Sequence, residues 1–268
     1  MKTLSIVIPV YNEQERLYKT FEALVELQLP RGLKLQKVIF VDDGSDDNSK
    51  LIMQNTMSHL ENKLKAKVKI ISYRNNKGKG YAITRGMKIS EADYTLFCDA
   101  DMSTHVSEIR KFMTSIRKGI PVIIGTRKNS HSTVVRHQPI VRELLGRGFT
   151  LISRIILNTW VTDFTCGFKA FSKESKNTLF PLLKVKDWGF DAELLFLGRI
   201  SGFEYKEVPV VWSDDRRSKV KLWRDIPKSL LDLFYVRFVS LIHLYKGNFV
   251  REATPALSFL EKIRTFLF

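Results

Sequence analysis

An α/β fold, with a mostly parallel sheet flanked by helices, is the class that this sequence predicts. Three observations carry that reading. Apolar runs of strand length recur through the first half, at Leu4–Val10, Lys37–Asp42, Val68–Tyr73, Tyr94–Cys98 and Val122–Gly125. They are continuous rather than alternating, as strands buried on both faces should be. Helix-forming stretches separate them, so the order is strand, helix, strand. The 268 residues, 44% hydrophobic and 27% charged, suffice for a buried core and exclude a disordered, collagen-like or disulfide-scaffold chain.

The elements follow in order. After the first strand, Glu13 to Gln28 reads as a helix with Leu17, Phe21, Leu24 and Val25 on one face. Helices are expected at Asp47 to Leu60, Gly80 to Ser90 and His105 to Lys118, one after each of the next three strands. After Arg127 the alternation stops, and the polar stretch Lys128 to Gln138 reads as a mobile loop. Ile140 to Trp160 is helical, with Arg142, Arg147 and Arg154 interleaved among apolar residues. The last third predicts a short strand at Phe168–Phe171, helices at Lys173–Leu183 and Asp191–Ile200, a strand at Tyr205–Trp212 and a long helix after Trp223. Crossovers in such units are right-handed, so the strand C-terminal ends share one edge, where ligands bind.

The formal charge is +16, which favours polyanions: nucleotides, nucleic acid or an anionic membrane face. Between Ser103 and Trp160, seven arginines and three lysines oppose two glutamates, a net +8. Cys98 and Cys166 sit in apolar surroundings and read as reduced core residues, as in a cytosolic protein. The N-terminus does not have the pattern of a signal peptide, and no apolar run is long enough to cross a bilayer; the stretch Leu230 to Tyr245 is interrupted by Asp232, Arg237 and His243.

Chemistry concentrates at the predicted strand ends. Asp99-Ala100-Asp101 follows the fourth strand directly. Two carboxylates there repel each other unless a hard divalent cation, which can also bridge to phosphate oxygens, removes the cost. Asp42-Asp43-Gly44-Ser45 ends the second strand, as a turn and helix cap or as a contact to a base or ribose. Tyr11 offers a ring after Pro9, and Asn12 a helix cap. Asn76-Lys77-Gly78-Lys79-Gly80 reads as an anion cradle or simply as a basic loop. Three such clusters on one sheet edge support a nucleotide site.

The segments SIVIPVYNE, VIFVDDGSDDNS, NKGKGYAITRGM and YTLFCDADMS resemble glycosyltransferase family 2, whose fold, called GT-A, is Rossmann-like. DFTCGFKAFSKE, WGFDAEL and EVPVVWSDDRRSKVKLWRD narrow the likeness to the polyprenyl-phosphate hexosyltransferases, and most closely to the dolichyl-phosphate β-glucosyltransferase group. The resemblance implies that Pro9, Tyr11 and Glu13 line a nucleotide pocket and that Asp42 holds the base or ribose. It implies that Asp99 and Ala100 contact the nucleotide sugar, and that Asp101, with Asp99, binds Mg²⁺ or Mn²⁺ beside the diphosphate. Arg127, Arg217 and Lys219 are expected to reach phosphates, and Arg136, Arg142 and Lys169 to receive the acceptor phosphate. Asp163 is expected to orient the site or the acceptor. Ser103 stands where some relatives carry a further metal contact, and Asp214-Asp215-Arg216-Arg217 departs from the pattern of relatives that carry one basic residue and a glycine.

The implied reaction moves a hexose from a nucleotide sugar, UDP-glucose by likeness, to a polyprenyl or dolichyl monophosphate with inversion. A GDP-mannose donor, or a hydroxyl acceptor needing a base at Asp163 or Asp191, is the alternative within the family. Nucleic-acid binding is opposed by the carboxylates at the ligand edge. The expected organisation is a catalytic unit over 1–222, with its donor half to about 127 and its acceptor half over about 128–222. An amphipathic helical segment over 223–268 follows. Peripheral contact with the cytoplasmic face of a membrane is expected through the basic amphipathic stretches Ile140–Trp160, Leu230–Tyr245 and Ala256–Phe268.

Overall fold

The structure is a computed structural model that describes residues 1–129, 131–215 and 222–241. Its strands are β1 (Lys2–Val10), β2 (Leu33–Asp42), β3 (Lys67–Ser72), β4 (Tyr94–Cys98), β5 (Val122–Thr126), β6 (Thr133–Arg136), β7 (Phe168–Ser172), β8 (Tyr205–Pro209) and β9 (Val211–Ser213). Its helices are α1 (Leu17–Val25), α2 (Ser49–Leu64), α3 (Lys79–Lys88), α4 (Ile109–Arg117), α5 (Ile140–Leu157), α6 (Lys173–Leu179), α7 (Phe190–Ile200) and α8 (Leu222–Leu241). Seven strands form one sheet in the order β3-β2-β1-β4-β7-β5-β8. All its pairings are parallel except those of β7, which runs antiparallel between β4 and β5.

Side-chain alternation splits the core into two layers. Leu4, Ile6, Ile8 and Val10 of β1 pack with Phe21, Met53 and Phe112 from α1, α2 and α4. Val7 points the other way, to Ile83, Phe190 and Val236 from α3, α7 and α8. Burial on both faces explains why these strands read as unbroken apolar runs. Both cysteines are free and buried. Burial raises the thiols, Cys166 to about 11 and Cys98 higher still, so neither is a thiolate at neutral pH.

Three expectations need correction. The stretch Lys128 to Gln138 contains a strand, β6, which pairs in parallel with β9 as a separate ribbon. The expected strand Tyr205–Trp212 is two strands: β8 pairs with β5 as far as Pro209, the Val210 N–H makes the last bond to β5 at the Thr126 carbonyl (3.1 Å), and β9 then turns to β6. The first helix begins at Leu17 rather than Glu13: Asn12 adopts a left-handed conformation (φ 53°), the chain turns through residues 14–16, and Arg16 takes the N-cap position. Asn12 Oδ1 accepts from Asp46 N–H at 2.8 Å instead, joining the loops after β1 and β2.

Candidate active site

The C-terminal ends of β1, β2, β4 and β5 share one edge, and β7 brings its starting end to the same place. A cleft of about 900 Å³ opens there. Pro9, Tyr11, Glu13, Asp99, Ala100, Asp101 and Arg127 all line it. Asp42, Asp163 and Lys169 do not, and Arg217 and Lys219 lie outside the described residues.

The two carboxylates after β4 are held differently. Asp99 Oδ1 is 2.6 Å from the ammonium of Lys79, the first residue of α3, which also lies over the Trp188 ring at 5.1 Å. Burial works against the Lys79 charge, but Asp99 and Asp191 outweigh it and leave the ammonium raised. Asp101 Oδ1 accepts from Ser103 N–H at 2.9 Å, and its other oxygen is 3.8 Å from Arg16. Burial first, then the Asp99 charge, pushes the Asp101 carboxyl above the usual carboxylate range. Thr20 of α1 fixes the loop between them by donating to the Ala100 carbonyl at 2.5 Å.

Arg16 was not singled out from the sequence. It forms a two-pronged pair with Glu13 and sits 3.9 Å from Asp215, so it joins the β1 loop, Asp101 and the segment after β9. The signal available was the spacing of Glu13 and Arg16, three residues apart. Glu13 lines the cleft, but its carboxylate holds Arg16.

Asp42 is displaced from its expected role by geometry. Its oxygens accept from Ser45 N–H (3.0 Å) and the Ser72 hydroxyl (2.9 Å), and it is buried within the turn. Asp43 lines the cleft instead. It receives the Tyr73 hydroxyl (2.5 Å), Lys77 N–H (2.9 Å), Gly78 N–H (2.9 Å) and the Asn76 amide (3.0 Å). The glycine-rich loop is therefore an anion cradle, but its occupant is the chain's own Asp43. Gly78 is needed there: it has φ 97°, and a Cβ would stand 2.5 Å from the Lys186 carbonyl.

Asp163 is fully buried. Arg127 Nε and Nη2 donate to its two oxygens at 2.7 and 2.8 Å, and Arg127 N–H adds a third bond. Burial alone would raise this carboxyl; the guanidinium overrides that and holds it well below its usual range. It is a fixed anion and not a proton acceptor. Its partner Arg127 also donates to Thr165 Oγ1 (2.9 Å) and stacks on Trp212 (5.3 Å). Lys169 is equally committed, donating to the carbonyls of Phe164 (2.9 Å) and Cys166 (2.7 Å) and to Asp191 (2.5 Å). Contrary to expectation, it is buried outside the cleft lining and does not present its ammonium to an acceptor phosphate. Arg136 is exposed on β6 and is not among the residues that line the cleft, while Arg142 lines it. Lys128, Arg147 and Arg154 join Arg142 on that wall.

Gly167 was also missed. In the β4–β7 register Cys98 faces Phe168, so Gly167 lies beside Asp99, and a Cβ on it would be 1.9 Å from Asp99 Oδ2.

A family model described as Glycosyl transferase family 2 matches residues 5–180. The dolichyl-phosphate beta-glucosyltransferase of Dictyostelium discoideum is 28% identical over 252 residues, covering 91% of this chain and 76% of that one. That of Homo sapiens is 30% identical over 243 residues, covering 86% and 74%. A crystal structure of glucosyl-3-phosphoglycerate synthase from Mycobacterium tuberculosis, in complex with Mn²⁺, uridine diphosphate and glucosyl-3-phosphoglycerate, matches with a TM-score of 0.59. The identity is 19%, over 89% of this chain and 79% of that one, a likeness of fold.

Proposed function

The chain belongs to glycosyl transferase family 2, and from that premise we propose that it transfers glucose from UDP-glucose to dolichyl or another polyprenyl monophosphate. The observation that carries the reading is the composition of the cleft. Asp99 and Asp101 line it after β4, and Lys128, Arg142, Arg147 and Arg154 line it from the segment after β5. An anionic donor held through a cation and an anionic acceptor held by arginines fit that arrangement.

A divalent cation, Mg²⁺ or Mn²⁺, fits the residues present. Asp101 presents hard oxygens; burial first, and then the neighbouring Asp99 charge, disfavours its ionised form, and a bound cation would offset both costs. Among the described residues no group of three or more metal-ligating side chains gathers. Asp101, with Asp99 beside it, would hold the ion, and the diphosphate would complete the coordination, as suits Mg²⁺ or Mn²⁺. When bound, the ion stabilises charge on the departing diphosphate.

The rest belongs to side chains. Lys79, fixed by Asp99, adds positive charge beside the diphosphate. Arg127, clamped by Asp163, keeps the floor of the cleft rigid. The acceptor phosphate has a second pKa of about 6, so its attacking oxygen is anionic near neutral pH and needs no base. The bond from the anomeric carbon to the diphosphate oxygen breaks, and the bond to the acceptor oxygen forms on the opposite face. The product is β-linked from an α-linked donor. A hydroxyl acceptor would need a base, and both candidates are engaged, Asp163 by Arg127 and Asp191 by Lys169.

The donor half extends to about residue 127, the acceptor half over about 128–222, and the amphipathic segment from 223. Because the acceptor is a membrane lipid, the protein works peripherally, at a cytoplasmic membrane face. Among the described residues no helix is long and apolar enough to cross a membrane.

A donor screen tests the reading. Purified protein with Mn²⁺ receives UDP-glucose, GDP-mannose or UDP-GlcNAc, with and without dolichyl phosphate. Lipid-dependent release of UDP from UDP-glucose, with a β-anomeric product by NMR, is expected. Lipid-dependent release of GDP alone overturns the donor, and turnover indifferent to lipid overturns the acceptor.

A further inference from the structure

A folded helix normally hides its apolar residues, yet α5 shows them to solvent. Ile140, Leu144 and Ile155 are 76%, 62% and 67% exposed, and Trp160 just beyond the helix is 72% exposed. Spacing places Ile140, Leu144, Leu151 and Ile155 on one stripe, with Val141, Leu145 and Ile152 beside it, all exposed. The buried residues Thr150, Ser153 and Leu157 fall on the opposite side, against the protein. The free stripe is therefore not half of a core contact. A contiguous apolar patch of this kind on a folded surface marks an interaction site.

The charges identify what covers it. Arg147 and Arg154, seven residues apart, run along one flank of the stripe, and Arg142 stands on the other. The helix has a single acidic residue, Glu143, and Arg147 holds it at 2.6 Å. Apolar residues in the middle, with guanidinium groups at the margins, match the cross-section of a monolayer: acyl chains under anionic headgroups. A protein partner would not require arginines on both margins of the stripe.

We propose that α5 lies in the interfacial layer of a phospholipid bilayer, with Ile140, Leu144 and Ile155 inserted, the arginines at headgroup level, and Leu151, which also lines the cleft, at the border between lipid and cleft. The same helix forms a wall of the cleft through Arg142, Arg147, Phe149 and Arg154. Docking thus brings the mouth of the cleft to the headgroup plane. A lipid phosphate can enter while its chain stays among the acyl chains. This last step rests on the acceptor proposed above; the docking itself does not.

Flotation of the full chain with vesicles tests the proposal. Vesicles of phosphatidylcholine alone, or mixed with phosphatidylglycerol, are compared for wild type and for the triple variant Ile140→Ser/Leu144→Ser/Ile155→Ser, whose residues lie outside the cleft lining. Wild type should float with both vesicle types, more with the anionic one. The triple variant should lose about tenfold or more in partitioning while keeping its thermal midpoint and its UDP affinity. Equal flotation of the two proteins overturns the proposal. So does light scattering that finds wild type dimeric and the variant monomeric, because a second copy then covers the stripe. Failure to float, with lipid-phosphate glucosylation intact in detergent, sinks the docking alone. Flotation without any glucosyl transfer sinks the acceptor reading alone.

Discussion

Gly167 has no Cβ, and the Asp99 carboxylate fills the room that this leaves. Replacing Gly167 with Ala should cost about 1–3 kcal/mol in urea unfolding, the usual range for overpacking. In an Asp99→Ala background the same change should cost almost nothing, because the atoms it would strike are gone. Equal costs in the two backgrounds would show that the glycine serves something other than Asp99. Asp163→Asn leaves the Arg127 guanidinium without its counter-charge and should cost about 3–5 kcal/mol. The folded Asp163 carboxyl lies below its unfolded value near 4. The advantage of wild type is therefore complete above about pH 5 and shrinks as the pH falls through and below the ordinary carboxylate range. Urea midpoints of both proteins from neutral to acid pH check the sign. Asp163 and Asp99 were both legible in the sequence as candidate positions, because each is a carboxylate at an apolar strand end or in a motif. Their partners were not: Arg127 lies 36 residues from Asp163, and no local pattern signals that pairing.

At the scale of elements, α3 depends on the loop before it. Asp43 satisfies the amides of Lys77 and Gly78, and that places Lys79 at the first turn, within reach of Asp99. Asp43→Ala should cost about 2–4 kcal/mol, since bonds to a charged acceptor are worth more than neutral ones. Hydrogen exchange should speed up at residues 77–80 well before it changes in β1. Uniform acceleration across the sheet would refute a local role. The loop's composition made its cradle shape readable in the sequence. Its occupant was not readable, because the competition between Asp43 and an outside anion is decided by how β2 and β3 pair. The ribbon of β6 and β9 was hidden for a similar reason. Each is only three or four residues long, too short to show a period.

The whole molecule turns on β7. Its insertion between β4 and β5 means that β5 pairs only with β7 and β8, both of which come later in the chain. A fragment of residues 1–127 would leave β5 without neighbours and β4 with an open edge. It should aggregate or unfold without a cooperative transition, whereas the full chain should melt in a single step by circular dichroism. An independently folding fragment would show that the two functional halves are also structural domains. The alternation of strands and helices made the parallel part of the sheet legible. The reversal of β7 was not, because a strand of five residues carries no mark of direction.

Asp43 has one more consequence. With the Lys77 and Gly78 amides already engaged from within, the loop offers ATP, inorganic phosphate or sugar phosphates no ready foothold. Such competitors should be poor inhibitors when a chelator is present, and the chain's discrimination among phosphorylated metabolites should track free divalent ion.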